Sequence, residues 1–255
     1  MTAIPAGMTY ADYLRLDQLL SAQQPLSALH DEMLFIIIHQ TKELWMKQML
    51  HELELAIDLV QADRFAEAYK AMARISRIQA VMTLSWDVLS TLTPVDYLKF
   101  RNVLGTSSGF QSVQFRKIEF RLGLKEPNFL NQYEEGSTAH AALELALAEP
   151  SLREASHGAL ERAGFDLGDR SVDAIARAWL EVYRDAERWF DLYELAEKLV
   201  DIDDALAGWR HKHVLTVERI IGNRPGTGGS AGAPYLRATL DKRVFPELWA
   251  LRTDL

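Results

Sequence analysis

Two of the seven histidines lie inside long helical patterns, among apolar neighbours. His39 follows the apolar run from Met33 to Ile38, and Phe35 precedes it by four residues on the same helical face. His213 shares its helical face with residues four and seven positions away in both directions: Leu206, Trp209, Val217 and Ile220. An imidazole in such surroundings either makes one hydrogen bond in a core or ligates a metal or a haem iron. The spacing alone leaves both interpretations open.

Several other site chemistries are excluded by residues that the chain lacks. Cysteine is absent, which rules out disulfides, cysteine nucleophiles, iron–sulfur clusters and thiolate-bound zinc. A di-iron site in a helical bundle needs Glu-x-x-His on each of two helices, and this chain has one copy, Glu154 to His157. The His-Glu-x-x-His motif of zinc hydrolases is also absent. These absences favour haem or metal binding by the two helical histidines without settling it.

Arg101 forms one predicted helical stripe with Tyr97 and Leu104, at spacings of four and seven residues from Tyr97. A guanidinium among apolar neighbours either faces solvent or needs a carboxylate or phosphate partner with matching planar geometry. That partner is either an acidic side chain of the protein or a ligand.

The segment 224–232 is rich in glycine, and four of the 14 glycines of the chain fall within seven of its residues. A phosphate-binding loop is excluded because no Lys follows the last glycine of the pair Gly228 and Gly229. A dinucleotide-binding turn is excluded because the preceding residues predict a helix rather than a strand. The segment is therefore either a plain surface connection or a mobile loop that closes over a ligand.

The elements that position these residues are predicted to be helices throughout. Apolar residues recur at helical spacing from Asp31 to about Asp63, and a second helix is predicted from about Phe65 to Leu92. Thr93 and Pro94 have the residue types of an N-cap and a first helical position, and that helix should end near Gly105.

The pattern from Ser171 to Ile221 predicts one very long helix, or two with a bend near residues 201–204. The stretch from about 125 to 170 predicts short helices and loops at the periphery. No linker or repeat divides the chain, so we expect one all-α domain over 1–255, built as a long-helix bundle.

Charge and hydropathy restrict the partners. Lys and Arg number 28 against 36 Asp and Glu, a net charge of −8, which disfavours binding to nucleic acid. The longest purely apolar run, from Met33 to Ile38, is far shorter than the roughly 20 residues that span a bilayer. The first ten residues lack the basic and apolar regions of a signal peptide. We therefore expect a cytoplasmic protein with no membrane partner.

Six segments, in one-letter code, resemble the motifs of tryptophan 2,3-dioxygenases and occur in that family's order. They are YLRLDQLLSAQQPL at 13–26, HDEMLFIIIHQTKELW at 30–45, FR at 100–101, SSGFQS at 107–112, WRHKH at 209–213 and GTGGS at 226–230. The resemblance covers nearly the whole chain and is weak only between about 124 and 170.

This resemblance implies a haem enzyme that inserts both atoms of O2 across the indole C2–C3 bond of L-tryptophan. The product would be N-formyl-L-kynurenine, in the first step of tryptophan degradation by the kynurenine pathway. It also implies a bundle that encloses a haem pocket, one haem b per subunit, and an intertwined homotetramer.

The resemblance further implies a role for particular residues. His213 would be the proximal haem ligand, with Trp86 near it, and His39 the distal histidine beside the indole N–H. Phe35, Tyr97 and Leu104 would line the pocket, and Ser108 and Gly109 would lie near haem and substrate. Arg101 would pair with the substrate carboxylate, and Thr227, in the mobile active-site loop 224–232, would bind the amino-acid end. Residues 1–25 would reach a neighbouring subunit and contribute Tyr10, Tyr13 and Leu14 to its pocket.

Two other functions remain compatible with the residues alone. One is a helical enzyme of the same superfamily that acts on a different indole. The other is a helical binding or scaffold protein without a cofactor.

Overall fold

Helices account for the architecture of residues 7–255, the part of the chain described by this computed structural model. No β-strand is present among those residues, so the all-α prediction is confirmed for them. Residues 1–6 of the predicted N-terminal segment lie outside the described range. The α-helices are α1 (Tyr10–Leu14), α2 (Leu16–Leu19), α3 (His30–Gln61), α4 (Phe65–Leu89), α5 (Pro94–Phe100), α6 (Val113–Leu122), α7 (Thr138–Ala148), α8 (Leu152–Arg162), α9 (Val172–Arg184), α10 (Phe190–Ile221), α11 (Ala233–Arg237) and α12 (Pro246–Ala250). Short 3-10 helices cover Arg101–Leu104, Gly109–Gln111, Pro127–Gln132 and Leu251–Thr253.

The three longest helices form the frame, in which α4 lies between α3 and α10 and packs extensively against both. A tight turn joins α3 to α4, and its Asp63 has a left-handed backbone with φ of 56°. Arg162 of α8 donates hydrogen bonds to the Asp63 carboxylate and to the carbonyl of Val60, which ties α8 to this turn. Helix α3 therefore runs antiparallel to α4. Helix α10 runs parallel to α4, since Tyr69 bonds the Asp191 carbonyl near the start of both helices and Gln79 bonds the Ile202 carbonyl further along.

One end of this frame is a close-packed apolar core. Buried side chains of α3, α4 and α10 interlock there with residues of α8, α9 and α12. Leu53, Met72 and Leu199 are fully buried in it, and so are Trp179 of α9 and Phe245 just before α12. Burial on this scale supplies the main driving force for folding.

A smaller apolar cluster lies at the other end of the same three helices. It contains Ile38 of α3, Trp86 of α4 and Ile220 of α10, together with Tyr97 and Phe100 of α5. The predicted start of α5 is confirmed, because the Thr93 side chain accepts a hydrogen bond from the Asp96 N–H at 3.2 Å and Pro94 is the first helical residue. The helical segment also ends at Gly105 as predicted, although its last turn, from Arg101 onwards, is 3-10.

The predicted bend near residues 201–204 is wrong. Helix α10 passes through that region without interruption, and the break lies at residues 185–189, between α9 and α10. Asp203 is fully buried because its carboxylate accepts hydrogen bonds from the N–H groups of Val244 and Phe245 and from the Trp249 indole. A carboxylate that suggested a solvent-exposed bend instead holds the C-terminal helix against α10.

The stretch 125–170 does contain short helices, but α8 is not peripheral. Leu152 and Leu160 are fully buried in the main core. His157 and Arg153 both hydrogen-bond the buried Glu247 carboxylate of α12, at 2.9 and 2.8 Å. The single Glu-x-x-His of the sequence therefore belongs to a helix that joins α3 to the C-terminal segment. None of the helices in the described range is long and apolar enough to span a membrane.

Candidate active site

A cavity of about 730 Å³ opens at the end of the frame that carries the smaller cluster. Its volume is within the range of about 300–1,000 Å³ typical of ligand-binding sites. Side chains of α3, α4, α5, α6 and α10 and of the loop before α11 line it. Nine of the predicted site residues are on its wall: Phe35, His39, Trp86, Tyr97, Leu104, Ser108, Gly109, His213 and Thr227.

On one part of the wall, His213 of α10 is held in an aromatic stack. Its ring lies almost parallel to the Trp86 ring, at 9° and 4.3 Å between centroids, and Trp209 packs beside both rings. Burial lowers the pKa of His213 to about 3, so the imidazole is neutral at physiological pH. A neutral imidazole in a fixed plane, facing a cavity, has the protonation state and the orientation that a metal ligand requires.

His39 of α3 faces the same cavity, and its ring is held by a hydrogen bond to the backbone of its own helix. Its Nδ1 lies 2.7 Å from the Phe35 carbonyl, and the Phe35 ring packs on it at 4.2 Å. Burial lowers the pKa of His39 despite that hydrogen bond. A carbonyl oxygen only accepts, so Nδ1 carries the proton and Nε2 of the neutral ring is left as an acceptor.

The aromatic wall next to His39 continues through α5. The Phe35 ring lies 5.9 Å from Tyr97 and 5.8 Å from Phe100, and the latter two rings meet edge to face at 5.4 Å. These spacings are typical of favourable aromatic pairs. Phe35 and Tyr97 present an apolar surface to the cavity, supported by Phe100, and this surface suits an aromatic ligand.

A buried ionic cluster that the sequence reasoning missed closes another part of the cavity. Arg116 of α6 pairs with Glu119 one turn later, and Arg210 donates to the other oxygen of that carboxylate at 2.9 Å. Arg210 and Glu119 join α10 to α6 only because the fold brings together residues 91 positions apart. Their local patterns resemble those of surface residues, so no local signal could have identified them.

Lys42 is a second residue that the sequence reasoning missed. It lies on α3, three residues after His39, and its amine sits over the Trp86 ring at 2.8 Å from the centroid. The sequence did contain one signal for Lys42, namely its spacing of three residues from His39, because residues three apart share a helical face. Burial lowers the pKa of Lys42 to about 6.

The glycine-rich loop closes one edge of the cavity. The Thr227 hydroxyl donates to the Ser107 carbonyl at 2.5 Å. A Cβ on Gly228 would come within 2.6 Å of Ser108, so a side chain at that position would push the loop outward. Gly232 combines φ of 70° with a Cβ position 2.4 Å from the Arg224 carbonyl, which only glycine can satisfy.

Arg101 and the N-terminal residues occupy different positions from the other predicted site residues. Arg101 is not on the cavity wall, and its guanidinium donates to the Pro225 carbonyl at the start of the loop. Tyr10, Tyr13 and Leu14 lie on α1, exposed and off the cavity of their own chain. Tyr10 and Tyr13 are 76% and 74% exposed, which is unusual for large aromatic side chains.

Comparison with known proteins gives a consistent result over almost the entire chain. A family model described as tryptophan 2,3-dioxygenase matches residues 2–169 and 163–255. The chain is 59% identical to a protein of Caulobacter vibrioides, over 97% of this chain and 98% of that protein. It is 51% identical to a protein of Bacillus thuringiensis subsp. konkukian, over 100% and 95%, and 49% identical to one of Shewanella woodyi, over 97% and 91%. All three relatives are named tryptophan 2,3-dioxygenase.

Proposed function

The chain belongs to the tryptophan 2,3-dioxygenase family, and we propose that it inserts both atoms of O2 into L-tryptophan to give N-formyl-L-kynurenine. This makes it an oxidoreductase of tryptophan catabolism. We propose that each subunit binds one haem b and that the enzyme acts in the cytoplasm. The observation that carries the proposal is one cavity with two buried, neutral imidazoles on its wall, His39 and His213.

The donor set fits haem. Haem iron accepts a neutral imidazole as its single protein ligand and leaves another position free. His213 would hold the iron, with Trp86 and Trp209 fixing the plane of its ring. Large apolar side chains and the orphaned indole N–H of Trp86 line the space beside it. When bound, haem supplies the activation of O2, and the protein supplies the placement of the substrate.

His39 acts as a hydrogen-bond acceptor that orients the indole ring. Its Nδ1 proton is committed to the Phe35 carbonyl, so Nε2 is available to an indole N–H. Full deprotonation is disfavoured, because indole is a weaker acid than imidazolium by about ten pKa units, or ~14 kcal/mol. Phe35, Tyr97 and Leu104 hold the flat ring in place and exclude water.

The charged end of L-tryptophan requires polar groups at the loop edge of the cavity. We assign the substrate carboxylate to Arg101 and the amino-acid end to Thr227, with Ser108 and Gly109 next to them. Both Arg101 and Thr227 now bond backbone carbonyls, of Pro225 and Ser107. A substrate carboxylate can replace the Pro225 carbonyl with a stronger, charge-assisted partner. Loop 224–232 would then order around the substrate.

We also propose a homotetramer in which residues 1–25 reach a neighbouring subunit. The support is the exposure of large apolar side chains on α1 and at the end of α2, including Tyr10, Tyr13 and Leu19. Such side chains are rarely left in water. Tyr10, Tyr13 and Leu14 would then complete the neighbour's pocket.

Mixing two inactive variants tests that arrangement. One variant lacks residues 1–20 and the other carries His213→Ala in a full-length chain. Mixed tetramers should regain activity, because some pockets combine an intact His213 with a neighbour's intact segment. If mixed tetramers form and stay inactive, the segment serves its own subunit and the assignment is wrong.

The reaction itself is tested with isotopically labelled O2. Haem-loaded protein incubated with L-tryptophan should yield N-formyl-L-kynurenine that carries two labelled oxygen atoms by mass spectrometry. Product with one labelled atom would mean a monooxygenase. Turnover of another indole in preference to L-tryptophan would support the rival enzyme of the same superfamily.

A further inference from the structure

Lys42 carries a buried amine that has no acidic partner among residues 7–255. Its side chain is on the cavity wall, the residue is 5% exposed, and Nζ has no hydrogen-bond partner within residues 7–255. An unpaired ammonium is costly to bury, so burial lowers the pKa of Lys42 to about 6 and the lone amine is mostly neutral, whereas a carboxylate beside it would favour the ammonium form. The geometry therefore points to an anionic ligand next to Lys42.

The carboxylates on the cavity wall are already engaged elsewhere. Glu32 accepts hydrogen bonds from the backbone that precedes α3, including the Leu26 N–H at 2.8 Å. Glu43 accepts from Ser112 and Gln114, both at 2.7 Å. Glu119 is shared by two arginines of the buried ionic cluster. The anion for Lys42 must therefore come from a ligand rather than from this wall.

The position of Lys42 shows which part of the cavity that anion would occupy. The Trp86 and His213 rings are stacked 4.3 Å apart, which leaves no space for an amine between them. Lys42 therefore lies on the far face of Trp86, so that Trp86 separates it from His213. An anion bound by Lys42 would therefore lie to the side of the His213 ring, beyond Trp86. The edge of a macrocycle bound by His213 would reach this region.

We propose that Lys42 binds a propionate carboxylate of haem, an inference that rests on the proposed haem binding. Haem b carries two propionates at one edge, and a carboxylate is the partner that a buried ammonium needs. Substrate L-tryptophan also has a carboxylate, but Arg101 at the loop edge is assigned to it. Haem binding would then leave the Lys42 amine protonated, because the ion pair with a propionate offsets the cost of burying its charge.

A cycle of two proteins and two porphyrins tests the pair directly. Wild type and Lys42→Met are each loaded with haem and with haem dimethyl ester, whose propionates carry no charge. Release of the porphyrin to excess apomyoglobin is followed by visible absorption. We expect at least tenfold faster release of haem from Lys42→Met than from wild type, and nearly equal release of the ester from both. Equal acceleration with both porphyrins would overturn the proposal, because the loss would then not involve the carboxylate.

Thermal unfolding of the haem-free proteins gives a second readout. Here the substitution should stabilise the protein, whereas it should weaken the binding of haem. Lys42→Met should unfold at a higher temperature than wild type without haem, because Met removes an unpaired polar group from an apolar site. A purely structural lysine would show the reverse, with Lys42→Met less stable in both states. That result would also overturn the proposal.

Lys212 provides a matched control. It precedes His213 directly but points outward, where it pairs with Asp87. Lys212→Met should release haem and its ester at wild-type rates. If Lys212→Met and Lys42→Met accelerate haem release equally, general charge near the site explains the effect and the proposed pair is wrong.

The same measurements separate this inference from the proposed function. Wild type that takes up no haem contradicts the proposed function itself. Wild type that binds haem with an L-tryptophan response, but with identical release rates in Lys42→Met, contradicts only the role of Lys42. An increased KM for L-tryptophan in Lys42→Met, with unchanged haem release, would assign Lys42 to the substrate carboxylate and also reject the proposed pair.

Discussion

The two ends of the α3–α4–α10 frame differ in what they bury, although the same three helices build both. At one end the helices bury Leu53, Met72 and Leu199 completely in a continuous apolar core. At the other end they carry His39 and His213, and a cavity of about 730 Å³ remains. The close-packed end stabilises the fold, and the rigidity it gives to the helices allows the other end to keep polar groups around an open space.

The difference extends to individual polar groups. At the core end, buried Asp203 and Glu247 each accept several hydrogen bonds. Within residues 7–255 a few buried polar atoms elsewhere have no partner either, among them Trp179 Nε1 in the core, but Lys42 Nζ, Trp86 Nε1 and Trp209 Nε1 lack one in side chains that contact one another at the cavity. Buried polar groups in proteins are normally paired, so clustered exceptions indicate a binding site rather than a structural core. The His213 and Leu53 substitutions each change one end, and their measurements cover both ends.

The largest expected effect is the loss of haem binding in His213→Ala. The variant removes the one imidazole held in the Trp86 stack, and the core end stays intact. Visible absorption should show no stably bound haem, while circular dichroism should show wild-type helix content. His211→Ala is the matched control, because His211 lies two residues away, is exposed, and bonds the Ala207 carbonyl at 3.0 Å. Full haem occupancy in His213→Ala would contradict the ligand assignment.

The converse substitution is Leu53→Ala in the core. Leu53 is completely buried and does not line the cavity. Removing its buried methyl groups should lower the free energy of unfolding by about 2–5 kcal/mol. Denaturant unfolding measures this loss. Haem release from the folded variant should remain at the wild-type rate. A large increase in haem release would show that the two ends are not independent.

Arg101→Lys should lower kcat/KM for L-tryptophan at least tenfold. Lysine keeps the charge but lacks the planar fork that binds a carboxylate through two hydrogen bonds. A charge-assisted pair of this kind is worth roughly 2–5 kcal/mol. The control is a substrate analogue without the carboxylate, for which the variant and wild type should differ little. Unchanged KM and substrate preference would make Arg101 a structural residue that only holds the Pro225 carbonyl.

The smallest effect is a pH dependence that arises from His39. Burial lowers the pKa of His39, so protonation of Nε2 and loss of its acceptor role should occur below the ordinary value of about 6.5. The kcat/KM for L-tryptophan should therefore fall only as the pH drops below about 6.5, by about tenfold for one lost hydrogen bond. His39→Ala should be about tenfold less active and lack this acidic decline. A decline that persists in His39→Ala would assign it to another group.

The helices were predictable because they depend on local sequence, whereas most of the cavity wall was predicted from the resemblance to a known family. Periodicity located α3 and α4 to within a few residues, and Thr93 with Pro94 marked the start of α5. Residues on one helical face, such as Phe35 and His39, remain together in the fold.

The remaining features depend on contacts between distant residues. Asp203 suggested a bend, but its partners lie 41 to 46 residues away, at Val244, Phe245 and Trp249. Lys42 resembled any helical lysine until the fold placed Trp86 beneath its amine. No single-sequence pattern encodes such partners, because burial of a charge is decided by what packs against it.

The most direct test of the account is a titration of the purified wild-type protein with haem and then with L-tryptophan, followed by visible absorption. We predict uptake of one haem per chain with an intense Soret band, and a shift of that band when L-tryptophan is added. A protein that binds no haem, or that binds it without any response to L-tryptophan, would contradict the assignment of the cavity as a haem and tryptophan site.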